Sequence, residues 1–114
     1  MFDSVTSVTL HSALRGLAAR QRTIADNISN IQTPGFLAGR VQFEDALKAA
    51  VSTGDTSGVA PSVARSLEPT RTDGNNVNLD TESLSSIDTN LRYQLMSQAM
   101  SGRFSHMSMA LRFN

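Results

Sequence analysis

The chain contains no cysteine and no tryptophan, and only one tyrosine and three prolines among its 114 residues. Without cysteine there is no disulfide framework and no thiolate metal site. So few aromatics, with small and polar residues abundant, favour helices packed through Leu, Ile, Met and Ala over a thick globular core. The ten basic side chains balance the ten acidic ones, leaving no charge footprint for nucleic acid and none for an anionic membrane. No run approaches the roughly 18 apolar residues a membrane helix needs, so no membrane insertion is expected. The start, "MFDSVTSVTLHSALRG", has no basic segment, no long apolar stretch and no small-residue cleavage site, unlike an ordinary secretory signal. On these absences alone the chain reads as a plain cytosolic protein of one small domain.

Catalytic patterns are missing too. There is no H-E-x-x-H, no Gly-rich phosphate loop and no nucleophile elbow. His11 and His106 each fall on a long helical segment, where a lone histidine is usually packed or solvated. Asp73–Glu82, "DGNNVNLDTE", is oxygen-rich like a calcium loop, but Gly74 comes second and Val77 sits where the third oxygen ligand belongs. A turn leading into a helix cap accounts for it better. "NIS" at Asn27 matches a glycosylation sequon but lies inside a predicted helix. No catalytic, cofactor-binding or metal residue is assigned, and enzymatic function has no support.

What the chain does have is helical periodicity at both ends. From Thr6 to Ile31, Leu10, Leu14, Leu17, Gln21, Ile24, Ile28 and Ile31 alternate steps of four and three, a coiled-coil seam with one polar member. Gly16 lies off that seam and should cost about 1 kcal/mol relative to Ala. From Thr81 to Arg112 a second helix is expected, with Asp80 as N-cap, Glu82 at the positive end and Leu79 stapled onto Leu84. It carries two opposed stripes. Leu84, Ile87, Leu91, Leu95, Ala99, Gly102, Met109 and Phe113 form one; Tyr93, Met96, Met100, Phe104, Met107 and Leu111 form the other.

The two helices should measure roughly 40 and 47 Å, lengths that suit antiparallel pairing. The fold class is therefore mainly α: two long terminal helices pairing as an antiparallel coiled coil, with an irregular or disordered middle segment. Residues 1–32 and 80–114 form the helical core and 33–79 hold a turn, a short helix and a flexible loop. The first stripe, through Leu84, Ile87, Leu91 and Leu95, is expected to close on the N-terminal seam. The second, from Tyr93 to Leu111, is expected to meet other chains.

The middle offers little regularity. Phe43–Val51 suits a short helix and "FLAGRVQF" an extended segment, whereas Val51–Asn76 has no persistent period and reads as a loop or a segment that orders on binding. Before it stands "IADNISNIQTPGF". Thr23, Asn27 and Asn30 fall within about 60° of one another on the helix, a polar ridge able to bond a neighbouring chain or the following loop. Thr33 precedes proline, and Pro34-Gly35 suits the centre of a type II turn that ends the helix and presents Phe36.

"RQRTIADNISNIQTPGF" resembles the N-terminal signature of the bacterial flagellar axial proteins, the rod and hook family, close to A-x-N-I-A-N-x-x-T-P-G-[YF]. Asn27, Ile28, Asn30, Thr33, Pro34, Gly35 and Phe36 match; Ser29 replaces the usual alanine and Leu37 stands where the family often has lysine. "FEDAL", "DGNNVNLDTE" and "LRYQLMSQAMSGRFSHMSMAL" narrow the likeness to basal-body rod proteins. The resemblance implies a structural subunit exported by the flagellar type III apparatus without a cleaved signal peptide. It implies assembly in the periplasm with copies of itself, other rod proteins and the adaptor between membrane ring and rod. In the family the terminal helices pair in the inner tube wall. A soluble helical adaptor or chaperone that binds a partner helix in the open stripe is the alternative.

Overall fold

A computed structural model describes residues 2–55 and 58–112. Helix α1 spans Phe2–Ser29, strand β1 Gly39–Gln42, helix α2 Glu44–Thr53, strand β2 Ser62–Arg65 and helix α3 Leu79–Arg112. The chain is mainly helical, as its periodicity predicts, and its two long helices pack together antiparallel. Asn27 meets Glu82, Gln21 meets Ser86, and Leu17 shares a cluster with Met96, so positions rise along one helix as they fall along the other.

The middle is more ordered than its composition suggests. β1 and β2 form a two-stranded antiparallel sheet with Gly39 opposite Arg65 and Gln42 opposite Ser62. α2 stops at Gly54, whose left-handed φ of 85° lets its N–H reach the carbonyls of Ala50 and Val51. Over the described part of residues 51–76 the chain is irregular, as expected, apart from the end of α2 and the short strand β2. That stretch lacks side-chain periodicity because side-chain hydrogen bonds, more than an apolar face, hold its second half.

The apolar core is small. Leu17, Val41 and Phe43 are buried together, with Ala13, Ala19, Leu47 and Met96 packed around them. Gly16 belongs to this core, contrary to its reading as an incidental helix weakener. A Cβ there would lie 2.5 Å from the Phe43 ring, so glycine is what lets the ring lie against α1. Arg20 covers Phe43 from the same helix, its guanidinium 5.0 Å from the ring centroid.

α3 begins differently from expectation. Asn78, and not Asp80, is the cap: its Oδ1 accepts the N–H groups of Asp80 and Thr81 at 3.0 and 3.3 Å. Leu79 and Leu84 are 50% and 69% exposed, so no hydrophobic staple closes over the entry.

Candidate functional site

At the junction of both long helices and the sheet lies a hub of buried polar side chains. Asn27 is wholly buried on α1. Its Oδ1 accepts the Gly39 N–H at 2.8 Å, and its Nδ2 donates to the Gly39 carbonyl at 3.0 Å. The carboxamide thereby imitates one residue of a strand along the free side of β1. Two turns earlier on α1, Arg20 donates to the Val41 carbonyl at 2.8 Å. The α1-facing edge of β1 is thus sealed by helix side chains.

The same Asn27 Nδ2 donates to Glu82 Oε2 at 3.1 Å, and Arg40 Nη1 lies 2.6 Å from Glu82 Oε1. Glu82 has no exposed surface, so α3 enters the fold with a carboxylate anchored to both α1 and β1. Removing Arg40 would leave the wholly buried Glu82 carboxylate without its cation, at a cost of about 3–5 kcal/mol.

A second part of the hub joins the end of α1 to the start of α3. Helix C-termini leave carbonyls without partners, and here the Arg71–Val77 loop supplies them. Asn75 Nδ2 reaches the carbonyls of Asn30, Ile31 and Thr33 at 2.8, 3.2 and 2.8 Å. Arg71 Nη2 donates to Ile31 and its Nη1 to Val77. Asn76 Oδ1 accepts the Ala38 N–H at 2.7 Å, and its Nδ2 bonds the carbonyls of Ser66 and Glu68. The Gly35 N–H donates to Asp73 at 2.8 Å. The helix exit and the oxygen-rich "DGNN" stretch are one clasp.

The signature residues divide between these parts. Asn27 faces the sheet. Asn30 bonds within its own exit, donating to the Asp26 carbonyl and accepting the Thr33 hydroxyl at 3.0 Å. Thr33, Pro34 and Gly35 are exposed, and the Phe36 N–H closes the turn onto the Thr33 carbonyl at 3.3 Å with Gly35 at φ 74°. Phe36 is half-buried beneath Arg65, 5.5 Å from ring centroid to guanidinium.

The helix seams divide as well. On α1, Leu17 and Ile24 are buried and Leu10, Leu14, Ile28 and Ile31 half-buried. On α3 the expected assignment of faces is corrected. Leu84, Ile87, Leu91 and Leu95 are 69%, 60%, 61% and 60% exposed. The face towards α1 is the opposite one, with Glu82 and Thr89 buried and Ser85, Ser86, Met96 and Met100 half-buried. Met96, expected at a subunit contact, packs instead on the chain's own core. Farther along, Tyr93, Phe104, Met107 and Leu111 remain exposed. Phe113 lies outside the described residues. Glu82, Arg40, Asn75, Asn76 and Arg71 were not singled out by periodicity, because hydrogen bonding leaves no period. For Asn75 and Asn76 the one sequence signal is the density of Asn and Asp before α3; Glu82 is marked only as an acidic residue in the first helical turn, and Arg40 and Arg71 by nothing.

Both histidines are exposed, and among the described residues no group of three His, Asp or Glu side chains is placed to hold a metal ion. No helix among them is long and apolar enough to cross a membrane.

The family profile described as "Flagella basal body rod protein" matches residues 9–36, the seam and the signature turn together. The chain is 33% identical over 116 positions to flagellar basal body rod protein FlgB of Escherichia coli (strain K12), covering 83% of this chain and 84% of the relative. The chain belongs to the flagellar basal-body rod protein family. Similar rod proteins named FlgB occur in Bacillus subtilis (strain 168), 29% identical over 95% of this chain and 94% of the relative, and in Borrelia hermsii, 28% identical over 90% and 92%. Like the rest of this rod family it is a structural protein of the flagellar basal body and not an enzyme. The alternative of an adaptor or chaperone finds no support among these relatives.

Proposed function

We propose that this rod subunit leaves the cytoplasm through the flagellar type III apparatus and polymerises in the periplasm. Its partners there are copies of itself, other rod proteins and the adaptor between membrane ring and rod. Association with other basal-body components follows from the family; the particular partners are this proposal's own. Its main support is one observation: Leu84, Ile87, Leu91 and Leu95 line α3 at 60–69% exposure on the side away from α1. An apolar stripe of that length is a docking surface far more often than a solvated one. Phe104, Met107 and Leu111 extend the apolar surface towards the end of α3, exposed on its other side, and with Tyr93 they are candidates for a second contact. Surfaces on two sides of one helix suit head-to-tail packing, which generates open helical filaments.

Leu91→Glu places a charge in the middle of the stripe without touching the core. The expected outcome is normal secretion of the variant with loss of rod incorporation and of motility. Motile cells with the variant in their rods would refute the stripe as a contact surface.

A further inference from the structure

α3 bears two apolar stripes about 180° apart, so it has two ways to lie against α1. Along its first half, the face it presents is the less apolar. Glu82, Ser85, Ser86 and Thr89 are turned inward while the four-residue leucine and isoleucine stripe stays in solvent. Burial of apolar surface alone selects the opposite rotation. Thr89 sharpens the contrast, being 1% exposed with a hydroxyl that has no protein partner among the described residues.

What the observed rotation has, and the other lacks, is Met96 on the Leu17, Val41 and Phe43 core, which Leu95 from the other stripe could replace, and the Glu82 carboxylate against Asn27 and Arg40, which nothing on the other stripe could replace. A half-turn of α3 would carry that carboxylate to solvent. Asn27 would keep its bonds to Gly39 but lose the acceptor for its second amide hydrogen. Arg40 would lose its 2.6 Å partner, retaining the Gly39 carbonyl at 3.2 Å and the distant Glu68 carboxylate at 3.8 Å. A buried polar group satisfied in only one arrangement can specify that arrangement even where a more apolar one competes.

We infer that Glu82, acting through Asn27 and Arg40, sets the rotation of α3 against α1 and so decides which apolar stripe is left outside the chain. It is a specificity-determining residue for assembly, acting inside the subunit and not at a contact between subunits. The inference rests on the proposed function only for what the exposed stripe is used for. The rotation itself is a property of the single chain and is read on it.

The absence of cysteine makes disulfide trapping clean. Gln21 Nε2 lies 3.5 Å from the Ser86 carbonyl, so position 21 faces the Ser86 side of α3, and preference for closing a 21–86 cysteine pair over pairs on the opposite stripe reports the observed rotation. Cysteines at 21 and 87, or at 21 and 84, report the half-turned one. In the purified chain with Glu82 intact, mild oxidation should close the 21–86 pair alone. With Glu82→Leu the 21–86 disulfide should be lost and the 21–87 or 21–84 disulfide should appear. The double variant Arg40→Met, Glu82→Leu leaves no buried charge behind and should give the same shift, which guards against a single variant that merely fails to fold. Persistence of the 21–86 disulfide in both variants would overturn the inference. So would loss of all three disulfides in both, since no second rotation would then exist.

Discussion

Asn75 has no exposed surface, and both ends of its carboxamide are engaged. Its amide gathers three carbonyls from the α1 exit, and its oxygen accepts the Val77 N–H at 2.7 Å. An isosteric neighbour cannot take over this role, because the three carbonyls converge from one turn of backbone. Asn75→Ala leaves them without that donor in a poorly solvated site, at an expected cost of about 2–3 kcal/mol. The denaturant midpoint should fall accordingly with an unchanged slope; a midpoint equal to the parent's would remove Asn75 from the clasp. Asn30, half-buried and with its side chain bonded only within its own exit, carries less. From the sequence, Asn27 and Asn30 look like equal members of a ridge. They differ because only Asn27 is opposite β1, a fact of tertiary placement that helical spacing does not contain. Likewise both Asn78 and Asp80 have an oxygen able to cap, and it is Asn78 that stands at the helix start and accepts the Asp80 and Thr81 N–H groups.

At the scale of elements, α2 is tied to α1 by Glu44. Its carboxylate pairs with Arg20, and it also accepts the Phe43 N–H at 3.3 Å. Burial pushes the Glu44 carboxyl up, but the Arg20 hydrogen bond and charge, together with the backbone N–H groups of Glu44 and Phe43, pull it below its ordinary 4.5. A folded-state value below the unfolded one means stability that is present above pH 4.5 and is lost as pH falls through the folded value. The side chain is 45% exposed, so solvent screening keeps the effect modest. Glu44→Gln should therefore be less stable than the parent near neutral pH, with the gap closing below pH 4.5. A gap that stays constant down to acid pH, in paired thermal melts, would contradict the assignment. Both long helices, the T-P-G-F turn, the extended segment and the short helix are legible in spacing and turn chemistry. The sheet is not: β2 is only Ser62–Arg65, all four residues exposed, so no alternation marks it. The facing of α3 is not legible either. Two opposed stripes compete there, and a buried ion pair, invisible to periodicity, decides between them.

As a whole the subunit is a rod-shaped body of 66 × 26 × 14 Å, one long hairpin of helices stiffened at one end by the hub and the sheet. Its buried apolar cluster is small for its length, and its largest leucine-rich surface faces outward. Transfer of a leucine or isoleucine side chain from water to a packed interface contributes about 1.5–3 kcal/mol each. Four of them in one stripe represent a considerable driving force that the isolated chain leaves unused. We expect neighbouring subunits in the assembled rod to cover this stripe. Leu91→Cys, the sole thiol in the chain, tests it directly through its reactivity with a water-soluble maleimide. Rapid labelling of the free subunit and protection in purified basal bodies are the expected result. Equal labelling in both would mean that the stripe faces solvent in the rod as well, contradicting the claim.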